Sequence, residues 1–340
     1  MKTLLSLQYL RAVAALGVVL VHAVERRDWR FDLGQMGVDL FFVLSGLMMW
    51  LISDRADRKP GEFLADRLAR IAPTYWIATV FVLVMWFAGI KAGLDRPEVW
   101  HTIKSFLFVP AEYPGKEKIY PLVIPGWTLN YEMFFYVIFA AALFTARTMR
   151  LVILTLAIAG LAITGLILRP RGDLAATYTD PIMLEFLAGV WLGVIWTSRI
   201  SVGPALCVVL VASGLGLLAL LSGAGDVPRV LVWGVPATLI VAGAALYERD
   251  HTVPRWPWLL LLGDASYSIY LWHFPTNSFW DRMAEIVHAP PWLAVAIMVV
   301  CGTAFGIAAH LLIEKPIRLW LRGRRRNRRI SGAAPQPSSP

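Results

Sequence analysis

Ten apolar runs, each near the roughly 20 residues a helix needs to cross a bilayer, recur along this chain of 340 residues. They fall at about 6–24, 34–53, 71–90, 130–146, 151–168, 181–197, 203–222, 229–247, 262–280 and 292–313. In hydrocarbon a backbone has no water to bond, so each run must satisfy its own N–H and C=O groups, as a helix does. The expected fold is an all-α integral membrane protein with about ten transmembrane helices in a single bundle. Composition agrees: 58% of residues are hydrophobic and 16% charged, and the mean hydropathy is +0.61, far more apolar than a soluble domain. Arg11 interrupts what would be the core of a cleavable leader, so the first span is expected to stay in the mature protein. Cys207 and Cys301 sit inside apolar runs with no metal or redox spacing, and no metal site is expected.

An even number of spans puts both ends on one side. Lys and Arg choose it, because cytoplasmic loops carry the basic excess. Arg55, Arg58, Lys59, Arg67, Arg70, Arg147, Arg150 and the tail RLWLRGRRRNRR gather on one face, which makes both termini cytoplasmic. The exception is the connection from Lys91 to Lys118, which mixes basic with acidic residues on the expected outside. Residues 1–316 read as one polytopic membrane domain and 317–340 as a basic, disordered cytoplasmic tail. Such a tail is held against anionic membrane lipids at about 1 kcal/mol per Lys or Arg. It is too short to read as a nucleic-acid site, and no nucleic-acid partner is expected.

Ionisable side chains at membrane depth are costly and by default mark function. Arg11 and His22 share the first span. Eleven residues at about 100° each return the helix to within roughly 20° of its starting direction after a rise of about 16 Å, so both lie on one face. On the assigned topology His22, Asp39, Glu132, Glu185 and His273 gather in the outer half, while Arg11, Arg67 and Arg70 lie toward the cytoplasm. Arg67 and Arg70 read either as topology anchors or as guanidinium forks for phosphates of a cytoplasmic ligand. Glu185 reads as structural, and His101, His251, His288 and His310 as surface or packing residues.

Six blocks in order, LQYLRAVAALGVVLVHA, GVDLFFVLSGLMMW, FLADRLARIAPTYW, PGWTLNYEMFFY, LGDASYSIYLWHFP and IEKP, resemble the membrane-bound acyltransferase 3 family from about Leu7 to Pro316. The form WTLNYE is similar to the branch containing the ExoZ-type exopolysaccharide acetyltransferases. The resemblance implies a bacterial inner-membrane enzyme that moves an acyl group, acetyl by default, from cytoplasmic acyl-CoA to a glycan hydroxyl at the outer face. Its Arg-x10-His pattern falls on Arg11 and His22, and its cytoplasmic Arg-x-x-Arg pattern on Arg67 and Arg70. The second-span aspartate falls on Asp39, the aromatic-acidic block on Trp127 and Glu132, and the ninth-span block on Ser268, Tyr270 and His273.

O-acylation from a thioester requires holding the donor, aligning a hydroxyl and removing its proton. His22 is the expected base, with Asp39 accepting its second ring N–H and Glu132 as the next catalytic carboxylate. Arg11, Arg67 and Arg70 are the expected acyl-CoA ligands. Trp127, Tyr270 and Trp272 are expected to stack on sugar rings or cap the opening. Acetyl-CoA is a donor substrate and no permanently bound cofactor is expected. Expected partners are acyl-CoA, a glycan acceptor that can be lipid-linked, membrane lipids and polysaccharide assembly proteins. A proton-coupled glycan or lipid transporter, or a non-catalytic partner in polysaccharide assembly, remains a rival reading.

Overall fold

The computed structural model describes residues 4–53, 59–89, 97–115, 117–198, 200–223, 225 and 227–331. In chain order the helices are α1 Leu5–Glu25, α2 Met36–Ser53, α3 Pro60–Phe87, α4 Val99–Phe106, α5 Trp127–Ala142, α6 Arg147–Leu168 and α7 Asp173–Tyr178. They continue with α8 Met183–Thr197, α9 Pro204–Leu221, α10 Val235–Asp250, α11 Pro257–Ile286, α12 Pro291–Ala309 and α13 Lys315–Ser331. Each of the ten apolar runs coincides with a helix. Among the described residues, eight helical stretches are long and apolar enough to cross a membrane. The other two are α5, with 16 residues, and α11, which is long but carries His273, Asn277, Asp281 and Arg282. The chain is an all-α, multi-pass membrane protein. Arg55, Arg58, residues 91–96 and residues 332–340 lie outside the described residues. The tail expected to be unstructured from 317 is helical to Ser331.

Burial orders the bundle. The α2 stretch is 78% buried against 17% for α6 and for α9, so α2 is the axis and α6 and α9 form the rim. Large apolar side chains such as Phe144, Ile167, Leu220 and Val300 project outward, as a lipid-facing surface requires. With lipid as apolar as leucine, helices associate through close packing at small residues. Gly189 and Gly193 of α8 lie against α2: a Cβ on Gly189 would strike the Val43 carbonyl, and one on Gly193 would come within 2.7 Å of Trp50 Cβ. Gly302 and Gly306 do the same for α12 on α11, with Ile269 beneath Gly306.

Helices α1 and α11 run parallel, and polar contacts join them along their length. Tyr9 Oη donates to the Pro254 carbonyl at 2.6 Å. Above it Arg11 donates to Ser266 Oγ at 2.9 Å. His22 meets His273 at 2.8 Å, and Arg26 donates to Ser278 Oγ at 2.7 Å. Arg27 pairs with Asp281 at the top. The start of α1 is capped from a distance, since Glu248 of α10 accepts from the Leu5 and Ser6 amides at 2.6 and 2.7 Å. A carboxylate there satisfies orphan donors and complements the positive helix end. These bonds fix the height of α1 against α11 and so the height of the site.

Candidate active site

The residues singled out in the sequence sort into four groups. Arg11 of α1, Arg70 of α3, Glu132 of α5 and Tyr270 of α11 line one cavity of about 290 Å³, together with Ser45, Tyr136 and Tyr267. It extends from Leu4, Leu7 and Gln8 at the start of α1 to Thr128 at the start of α5. Arg11 is held by Ser266, with its Nε 3.4 Å from the Gly263 carbonyl. Glu132 accepts from Ser45 Oγ at 3.2 Å and from the Tyr136 hydroxyl. Two guanidinium groups face one carboxylate, so the cavity carries a net positive charge and suits an anion. Glu132 therefore belongs with the arginines, and the expected separation of cationic inner and acid-base outer groups is corrected for this residue. Glu132 lies five residues, about 7.5 Å of helix rise, past Trp127, and the cavity lining already includes Thr128 at the start of α5.

His22 and His273 form the second group. Nδ1 of His22 lies 2.8 Å from Nε2 of His273, and Nδ1 of His273 lies 3.0 Å from the Ile269 carbonyl. His273 is fully buried, while His22 is only partly covered. Phe274 sets its ring edge-on to His22 at 5.4 Å between centroids. Between this pair and the cavity stand Phe41 and Tyr270, 5.8 Å apart edge to face, with the Tyr270 ring 6.2 Å from that of His273.

Asp39 stands apart from His22, contrary to the expected dyad. Its Oδ2 accepts from Arg229 at 2.9 Å, and it is fully buried beside Glu185. A buried carboxylate in lipid needs a counter-ion, and Arg229, at the turn before α10, supplies it. Arg229 opens the eighth apolar run, and nothing in the sequence links position 229 to position 39. A π-type turn at Val230–Gly234 sets Gly234 against Glu185, where a Cβ would come within 2.9 Å of the carboxylate.

The last group lies where α11 meets the second π-type turn, His310–Glu314. Ser268 Oγ donates to Glu314 Oε2 at 2.8 Å, and His310 Nδ1 shares that oxygen at 2.8 Å. His310, read as surface or packing, is a buried member of a polar cluster. Its spacing to Glu314, four residues along a helix, was the available signal. Arg67 is buried with its guanidinium 6.0 Å from the Phe63 ring centre and does not line the cavity. Trp272 is buried against Phe81 and Phe305, so the expectation of a sugar-stacking face is corrected for it. The Tyr270 hydroxyl is taken up by the Pro125 carbonyl at 2.8 Å and Thr128 at 3.0 Å. Trp127 is half-buried, edge-on to Tyr131 at 5.8 Å.

This arrangement offers a cavity lined by two guanidinium groups and one carboxylate and, farther along the same helix, a partly buried imidazole. Comparison with known proteins points to one family. A family model described as an acyltransferase domain matches residues 4–311. The exopolysaccharide production protein ExoZ of Rhizobium meliloti is 38% identical over 322 residues, covering 93% of this chain and 99% of that protein. A putative O-acetyltransferase of Staphylococcus aureus is 26% identical over 82% of this chain, and the peptidoglycan O-acetyltransferase OatA of Listeria monocytogenes 23% identical over 92%. The chain spans only 51% and 55% of the lengths of those two. No solved structure matches. A family match over nearly the whole chain, joined to an end-to-end relative, is decisive: this chain belongs to the acyltransferase 3 family.

Proposed function

We propose that this protein transfers an acetyl group from cytoplasmic acetyl-CoA to a hydroxyl of a cell-surface or lipid-linked glycan, exopolysaccharide in the first instance, across the bacterial inner membrane. The observation that carries the reading is the division of labour along α1: Arg11 faces a positively charged cavity with Arg70, and His22 stands about 16 Å farther along the same helix face. Guanidinium forks suit the CoA phosphates. The cavity, about 290 Å³, takes one portion of that donor, and the extended arm is left to run past Phe41 and Tyr270 toward His22. The name of the Rhizobium relative supports a polysaccharide acceptor, and those of the staphylococcal and listerial relatives support O-acetylation.

The chemistry asked of the side chains is modest. The acceptor oxygen attacks the thioester carbonyl while His22 takes its proton. The C–O bond forms, the C–S bond breaks, and the departing CoA thiolate recovers that proton from His22. A positioned base contributes about 10²–10⁴-fold. Purified protein given acetyl-CoA should release free CoA slowly, and His22→Ala should abolish both this release and glycan acetylation, read by mass spectrometry of surface glycans. Near-normal acetylation by that variant would refute the mechanism. His22-independent coupling of transport to protons would favour the transporter reading instead.

A further inference from the structure

We infer that His273 is a positioning residue that fixes the tautomer of His22, so that the nitrogen offered to the reactants is Nε2. The inference rests on the reading of His22 as the base. It starts from an atom that cannot donate: the Ile269 carbonyl, 3.0 Å from His273 Nδ1. A carbonyl accepts only, and its two lone pairs leave room for a second donor beside the helix amide. His273 Nδ1 therefore carries a hydrogen. A neutral imidazole has one N–H, so His273 Nε2 carries a lone pair. That lone pair faces His22 Nδ1 at 2.8 Å, and a contact so short needs one hydrogen, which His22 must supply. With its proton on Nδ1, His22 keeps the Nε2 lone pair free.

The ring geometry agrees. The planes are 15° apart with centroids separated by 5.1 Å, as for two rings meeting edge to edge in nearly one plane, where N–H and lone pair point at each other. Placing the proton on His273 Nε2 instead would aim a bare Nδ1 at a carbonyl oxygen, lone pair against lone pair. Charging His273 would place a cation at a fully buried position whose ring nitrogens meet a carbonyl and another imidazole, a costly arrangement. The height of the pair is held from both sides, by Arg11 on Ser266 below and by Arg26 on Ser278 above. His273 thus does for His22 what a buried carboxylate does in a hydrolase triad, holding one tautomer and one orientation, but without bringing a negative charge.

During transfer Nδ1–H stays bonded to His273 while Nε2 takes the acceptor proton and returns it to the thiolate. The test is nitrogen-15 NMR of full-length protein labelled at histidine, with the His22 signals assigned by their loss in His22→Ala. The expected spectrum shows His22 protonated at Nδ1 and bare at Nε2. In His273→Ala, His22 should shift toward the Nε2–H form preferred by a free imidazole, with kcat falling at least about tenfold and the KM for acetyl-CoA unchanged. His273→Gln, whose amide oxygen can accept from His22 Nδ1, should recover part of both. An Nε2–H tautomer of His22 in the parent protein overturns the inference, as does unchanged turnover in folded His273→Ala. The parent spectrum decides even where the alanine variant does not fold. Turnover that survives His22→Ala would instead overturn the proposed function, a different result from a wrong tautomer.

Discussion

Replacing Arg70 with alanine removes one of the two guanidinium groups that line the cavity and takes its formal charge, two cations against Glu132, from +1 to zero. If both arginines hold the phosphates of the donor, the loss is that of a charge-assisted hydrogen bond, about 1.5–3 kcal/mol. That corresponds to roughly a tenfold to hundredfold weaker affinity for acetyl-CoA. Lysine should restore only part of it, because it keeps the charge and loses the fork. Arg67 supplies the internal control. It is three residues away on the same helix but buried beside Phe63 and outside the cavity lining. Arg67→Ala should therefore lower thermal stability through lost packing while the folded fraction binds donor normally. Isothermal titration of acetyl-CoA into detergent-purified protein, with the melting temperature recorded on the same samples, separates the two. Unchanged affinity in Arg70→Ala, or an affinity loss confined to Arg67→Ala, refutes the assignment of the cavity as the donor site.

Other expectations follow from the same geometry. Asp39→Asn should act on stability and leave the His22-dependent step intact, since Asp39 bonds Arg229 and not His22; turnover lost from a normally stable variant would restore the expected dyad. Arg229→Met, which strands a buried carboxylate, should cost about 3–5 kcal/mol and show as loss of folded protein in the membrane, with Arg229→Lys milder. Gly189→Leu should separate α8 from α2, seen as reduced yield of folded protein in detergent, because its side chain would occupy the space of the Val43 carbonyl. In a background lacking Cys207 and Cys301, a cysteine at Gly61 should be shielded from an impermeant thiol reagent in intact cells and one at Glu112 should react. The reverse pattern inverts the topology and removes the donor from the Arg70 side.

Much of this protein was legible along the chain because a bilayer imposes a one-dimensional rule. A span must be apolar, helical and about 20 residues long, so each of the ten runs is a helix in the structure. The helix period alone puts Arg11 and His22 on one face, and neighbouring spans leave that relation unchanged. Their partners were a different matter, since they are set by how helices far apart in sequence sit at matching heights. Parallel packing of α1 on α11 gives His22 a histidine 251 residues away, where the sequence had suggested the nearer Asp39. Asp39 is drawn instead to Arg229, 190 residues on, because a carboxylate buried in the bundle requires a counter-ion within reach. Glu132 joins the arginines because it lies five residues past Trp127, more than a turn into α5, on the lining that Arg11 and Arg70 share. Local periodicity fixes which face of a helix a side chain occupies, but the charge that meets it is fixed by tertiary packing, where desolvation leaves each buried polar group to be satisfied by whatever the neighbouring helix brings to its height.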